Sequence, residues 1–136
     1  MLGILKTSDL LENRLARLLR QHNLTPSQYN VMRILRGEGQ PMPCLDVAGR
    51  MIQVAPAITR VVEQLVSRGL IDKRQSSSDR RIFLIEPTTA GQRLLSGLDE
   101  PIQSLHRSLL GHVPKSDLRR LNQILEKARE GIAAEA

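Results

Sequence analysis

Residues 76–86 read SSSDRRIFLIE: three serines and an aspartate, then Arg80 and Arg81 side by side, then an apolar run. A guanidinium is a planar fork of donors suited to phosphate, and a nearby carboxylate such as Asp79 steers it through a charge-assisted hydrogen bond. Lys73, Arg74 and Arg60 add cations in the preceding stretch. The chemistry these residues suggest is recognition of an anion, not the making or breaking of bonds. Ser, His and Asp all occur, but there is no nucleophile elbow, no phosphate loop and no paired carboxylates at a telling spacing, so the chain reads as a non-enzyme. His22, His106 and His112 lack HxxH or CxxC spacing, so neither a metal site nor a cofactor is expected. The single cysteine, Cys44, rules out an intramolecular disulfide and fits a reducing cytoplasm. With no basic neighbour in sequence to activate it, Cys44 reads as a small packing residue, not a redox sensor.

Composition narrows the anion. The net charge of +6 over 136 residues favours a polyanionic partner, nucleic acid before an acidic membrane surface. Tyr29 and Phe83 are the only aromatics, which disfavours single-stranded or RNA recognition by base stacking and leaves duplex grooves and phosphates. No apolar run approaches the roughly 20 residues of a membrane span. The N-terminal MLGILKTSDLLENRL has no small-residue cleavage pattern and reads as mature protein.

These residues must be positioned by a largely helical chain. Asp9 and Glu12 have capping-box spacing ahead of a stripe of Leu11, Leu15, Leu18 and Leu19. Thr25, Pro26 and Gln28 repeat the device, and the spacing predicts a helix to Gly37 with Tyr29, Val31, Met32, Ile34 and Leu35 on its apolar face. Ser27 and Gln28 read as capping residues. After a Gly/Pro-rich turn, a short helix is expected over 44–51. Ile58, Val61, Val62, Leu65 and Val66 then make one buried face of a helix over 55–68, with Pro56 in its first turn and Gly69 at its end. The period changes to two at 71–75 and 82–86, two strands flanking the polar loop. Thr89 and Gln92 mark a further capping box. Its helix carries Leu94, Leu98, Ile102, Leu105 and Leu109 and is expected to kink at Pro101. A break at 111–114 precedes a last helix over 115–129.

Two helices joined by a tight turn and followed by a hairpin make a helix-turn-helix with a wing. The fold expected is mainly α with a small β-hairpin wing: a winged helix-turn-helix at 25–94, flanked by dimerisation helices at 1–24 and 95–136. The terminal stripes exceed what one small winged domain covers, which points to a homodimer. A two-fold dimer sets its recognition helices roughly 34 Å apart, to match a palindromic duplex.

Three stretches resemble the MarR (multiple antibiotic resistance regulator) family: LTPSQYNVMRIL, ITRVVEQLVSRGLIDKR and DRRIFLIEPTTAG. The last is the most specific, with an Asp-x-Arg wing element before an apolar strand and a Thr…Gly helix start. The resemblance spans residues 8–130. It implies a homodimeric winged-helix transcriptional regulator of repressor type on palindromic promoter DNA, released in many members by a small phenolic ligand or an oxidant. The family's crevice between dimer helices and winged domain points to Arg14, Arg17, Tyr29, Arg33 and His106 as groups suited to an aromatic or anionic effector.

On this frame the recognition helix over 55–68 enters the major groove and the wing over 73–83 the minor groove. Ala55, Pro56 and Ala57 can touch thymine methyls but cannot hydrogen-bond to guanine or adenine, so either sequence readout is modest or Gln53, Thr59, Arg60 and Gln64 carry it. In the wing, Arg81 is assigned to the minor groove, Asp79 to its orientation, Arg80 to a phosphate or to a contact folded back onto the domain, and Lys73 and Arg74 to phosphates. Ser78 and its neighbours keep the tip small. The alternative is a winged-helix protein-interaction module whose basic face meets an acidic partner.

Overall fold

The computed structural model describes residues 1–52 and 57–135. The helices are α1 (Leu2–Arg20), α2 (Pro26–Glu38), α3 (Cys44–Gly49), α4 (Ile58–Ser67), α5 (Thr89–Leu110) and α6 (Lys115–Glu135); the strands are β1 (Met42–Pro43), β2 (Ile71–Gln75) and β3 (Phe83–Pro87). The chain divides into two compact units, Met1–Ile102 and Gln103–Ala136, with the division inside α5.

In the first unit the core joins Leu19 of α1, Val31, Met32 and Leu35 of α2, Val47 of α3, Val62 and Leu65 of α4, Ile71 and Ile85 of the sheet, and Leu95 and Leu98 of α5, all fully buried. The expected apolar faces of α2 and α4 supply this core, with Tyr29, Val61 and Val66 at its margin. Burial of such side chains, at about 1.5–3 kcal/mol each, outweighs any single surface contact.

The capping box of α2 is realised in full. Gln28 N–H donates to Thr25 Oγ1 at 3.1 Å, and Thr25 N–H donates to Gln28 Oε1 at 3.1 Å. Its end differs from the expectation. The left-handed cap is Gly39 at φ 74°, and Gly37 lies within the helix. Both glycines satisfy the sequence rule, but only the second lets the chain turn into β1. At the N-terminus, α1 starts at Leu2 and not at Asp9. Met1–Thr7 holds no residue that stops a helix, so α1 runs through the capping-box residues, and Ser8 Oγ instead donates to Glu12 Oε1 at 3.2 Å.

The sheet has three strands in the order β1-β3-β2, where the sequence predicted two. Met42 pairs with Ile85 and Pro43 with Leu84. A two-residue strand containing proline carries no alternation to detect, and proline is tolerated because β1 is an edge. α3 ends at Gly49, two residues short of the expected 51, and β3 starts one residue later than expected, at Phe83.

α4 closes on Gly69, φ 70°, with Leu70 N–H donating to Leu65 carbonyl at 3.0 Å. Thr88, not Thr89, caps α5. Its Oγ1 accepts from Gly91 N–H at 3.0 Å and donates to Gly69 carbonyl at 2.7 Å, which ties the start of α5 to the start of β2. Gly91 packs there because a Cβ would lie 2.2 Å from Leu70 carbonyl oxygen and 2.8 Å from Met32 Cε. α5 remains helical through Pro101. In the second unit, α6 extends six residues past the expected 129 and buries none of its residues.

Candidate nucleic-acid interface

β2 and β3 pair in register from Ile71 opposite Pro87 to Gln75 opposite Phe83, and this ladder carries the polar loop at its end. The loop is closed by Ser76 N–H to Ile82 carbonyl at 2.8 Å and by Ile82 N–H to Asp79 carbonyl at 3.0 Å. Ser78 lies in the tip, where its N–H donates to Ser76 Oγ at 3.3 Å.

At that tip Asp79 Oδ1 accepts from Arg81 N–H at 3.0 Å and from Arg81 Nε at 3.3 Å, while Oδ2 accepts from Arg81 Nη2 at 3.3 Å. The Arg81 side chain is nonetheless 90% exposed. The guanidinium is thus held by one edge while its remaining donors face solvent. The same side-chain and backbone hydrogen bonds from Arg81 hold the Asp79 carboxyl below its usual range. Arg80 is exposed, and its carbonyl accepts from Gln75 Nε2 at 2.7 Å.

Lys73 and Arg74 point to opposite faces of β2, as successive strand residues must. Arg74 is exposed. Lys73 is engaged within the fold: Nζ lies 2.5 Å from Glu63 Oε1 on α4 and 4.9 Å from the centre of the Phe83 ring. The contacts of Lys73 with Glu63 and Phe83 had no signal in the sequence, because a pair ten residues apart has no periodic signature.

Thr59 and Arg60 lie exposed on the first turn of α4, opposite the buried Ile58, Val62 and Leu65. Ala57 is the exposed N-cap residue. Gln53, Ala55 and Pro56, and with them the expected helix start at 55, lie outside the described residues; the described helix begins at Ile58. Gln64 is tied to α2, its Oε1 accepting from Gln28 Nε2 at 3.1 Å. Because Gln28 Oε1 is already used by Thr25 N–H, the donor and acceptor in this amide pair are unambiguous.

A second feature is a cavity of about 370 Å³ lined by Asn13, Leu15, Tyr29, Asn30, Arg33 and Met51, among others. It brings together two of the five expected effector groups, Tyr29 and Arg33. Arg14 and Arg17 are exposed on α1 and do not line it, and His106 belongs to the second unit. Buried Asn30 went unnoticed in the sequence. Its Oδ1 accepts from Arg33 Nη2 at 2.7 Å, and an asparagine three residues before an arginine within the apolar stretch NVMRIL was the available clue. Burial raises the Tyr29 hydroxyl pKa above its usual value, opposed by Arg36 and Arg33 and aided by Asp99. Cys44 is half-buried against the core. Desolvation raises its thiol pKa, with Lys73 pulling it down and Glu63 pushing it up. Among the described residues no three metal-ligating side chains come together, and no helix is long and apolar enough to cross a membrane.

The model of the MarR family matches residues 24–83, from the end of the α1–α2 turn to the first residue of β3. A MarR transcription factor from Planctomyces limnophilus is 32% identical, with a TM-score of 0.73 over 92% of this chain and 91% of that one. The homoprotocatechuate degradative operon repressor of Escherichia coli is 26% identical over 110 residues, 81% of this chain and 74% of the relative. A mutant MarR of Escherichia coli in complex with operator DNA shares the fold, with a TM-score of 0.82 at 21% identity, covering 92% of this chain and 89% of that one. A helix-turn-helix of α3 and α4 followed by an arginine-tipped hairpin defines a winged-helix, DNA-binding transcriptional regulator. The agreement extends over nearly the whole chain, helices outside the winged domain included. The chain belongs to the MarR family. The alternative of a module for an acidic protein partner is not favoured by these relatives.

Proposed function

We propose that the protein is a homodimeric repressor that binds a palindromic promoter site. The recognition helix lies in the major groove, and the wing over 73–83 lies in the minor groove. The observation that carries this reading is the Arg81 guanidinium, gripped by Asp79 and 90% exposed at the tip of a hairpin whose β2 strand is pinned to the recognition helix. An arginine already oriented loses less freedom on entering a narrow groove, where weakly hydrated guanidinium is favoured. Thr59 and Arg60 face the major groove, and Arg80 and Arg74 meet phosphates. The readout at Gln53, Ala55 and Pro56 follows from the sequence alone.

The dimer rests on apolar side chains left uncovered. Leu2 and Leu5 of α1 are 79% and 58% exposed, and Leu121 and Ile124 of α6 are 49% and 54% exposed. Stripes of this kind on terminal helices are costly in water and are covered by a second copy. The protein has no catalytic activity and works in the cytoplasm. Repression is proposed by analogy with the Escherichia coli relative, whose name states it for an operon of homoprotocatechuate degradation. An aromatic or anionic effector suits the Tyr29–Arg33 cavity.

The test is a gel shift with the intergenic DNA beside the protein's own gene, together with a size-exclusion mass. The expected result is a dimer and a shift that weakens steeply with salt. A monomer giving no shift overturns the reading.

A further inference from the structure

The wing's grip on Arg81 does not begin and end with Asp79. The peptide joining Arg80 to Arg81 is held on both sides. Its carbonyl accepts from Gln75 Nε2 at 2.7 Å, and its N–H donates to Asp79 Oδ1 at 3.0 Å. A peptide unit is planar, so fixing both of its polar ends fixes the plane from which the Arg81 side chain leaves. The carbonyl can only accept, so the partner atom on Gln75 is its amide nitrogen. Gln75 is itself anchored as the last residue of β2, paired with Phe83 across the ladder. The loop between the strands has only two backbone closures, Ser76 to Ile82 and Ile82 to Asp79, and neither reaches the Arg80–Arg81 peptide.

We infer that Gln75 is a positioning residue for DNA binding: its side-chain amide holds the Arg80–Arg81 peptide in the plane that aims Arg81 into the minor groove. Gln75 acts through Arg81 and contacts no base or phosphate itself. The inference rests on the wing reading above and adds a residue to it.

The experiment measures affinity by fluorescence anisotropy on a labelled duplex of the adjacent intergenic DNA, over roughly 50 to 200 mM salt. Four proteins are compared: wild type, Gln75→Met, Arg81→Ala and the double variant. Methionine keeps the length and lack of charge but cannot donate. Gln75→Met is expected to weaken binding about three- to tenfold, the range of one ordinary hydrogen bond, and to lower the salt slope with it. In the Arg81→Ala background the same change is expected to add nothing. Amide relaxation of residues 79–82 should show faster local motion in Gln75→Met, with an unchanged thermal midpoint. Additive losses would mean that Gln75 touches DNA directly, and unchanged relaxation or wild-type affinity in Gln75→Met would equally overturn the inference. If Arg81→Ala weakens binding but Gln75→Met does not, the wing reading stands and only the role of Gln75 falls. If Arg81→Ala binds as wild type does, both fall.

Discussion

Lys73 and Glu63 tie the wing to the recognition helix: Nζ on β2 lies 2.5 Å from Oε1 on α4, with the ammonium also over the Phe83 ring. The two DNA-facing elements are therefore joined through a side chain as well as through the turn at Gly69. The contact also changes the expected part of Lys73, since an ammonium engaged by a carboxylate and a ring has less to offer a phosphate.

Lys73→Met should therefore leave the salt slope of DNA binding close to wild type, whereas loss of a true phosphate contact lowers it by about one. Because Glu63 is largely exposed, the pair should contribute no more than about 0–1 kcal/mol to folding. Titration of the duplex at several salt concentrations, with thermal unfolding of the same variant, checks both statements. A slope reduced by a full unit would restore Lys73 as a phosphate ligand.

Arg81→Ala should weaken duplex binding by about tenfold or more without changing the thermal midpoint, because the side chain is exposed and packs nothing. Asp79→Asn should give a smaller loss, since an amide oxygen in the place of Oδ1 still accepts two of the three hydrogen bonds. Equal affinity of Arg81→Ala and wild type would end the minor-groove assignment.

The Asp79 carboxyl is held low by its side-chain and backbone bonds from Arg81. A depressed folded-state value means that the contact is fully present above the unfolded carboxylate range, near about 4, and is lost as pH falls through the folded value. DNA affinity should therefore show no Asp79-linked change near neutrality. Carbon-detected titration of Asp79 should give a midpoint below that of a free aspartate, moving up towards it in Arg81→Ala. A midpoint unaffected by the substitution would contradict the grip.

Two glycines in α5 should respond in opposite directions. Gly91→Ala places a methyl 2.2 Å from Leu70 carbonyl oxygen, and such overpacking costs about 1–3 kcal/mol. Gly97→Ala meets nothing within 4 Å and should gain up to about 1 kcal/mol from helix propensity. Urea denaturation of the two variants measures the contrast, and a stable Gly91→Ala would show that the contact between α5 and Leu70 yields easily.

Cys44 should be slow to alkylate at neutral pH, because burial keeps its thiol protonated and Lys73 only partly offsets this. Peroxide treatment should accordingly leave DNA binding intact. Rapid modification by iodoacetamide, with loss of the gel shift, would make Cys44 a redox sensor.

The parts legible in the sequence are those that repeat or that follow a local rule. The α4 stripe, the Thr25 capping box, the Gly69 stop and the span of β2 all came from spacing, since each is enforced by neighbours within a few residues. The Asp79–Arg81 contact was legible for the same reason, being two residues long. Boundaries with two acceptable signals were not settled locally: Gly37 against Gly39, Thr88 against Thr89, Asp9 against Leu2. Gly39 wins because the chain must turn into β1, Thr88 because its hydroxyl reaches back to the Gly69 carbonyl beside β2, and Leu2 because nothing in Met1–Thr7 stops the helix. The partners of Lys73, Gln64 and Arg33, and the division of the five effector candidates, depended on distant segments meeting. The sequence determined that a basic winged helix exists and which arginine tips its wing, because helix period, strand period and turn chemistry are local. Only the tertiary structure decided which of its polar side chains face outward and which are already held, because that depends on long-range packing that no spacing rule encodes.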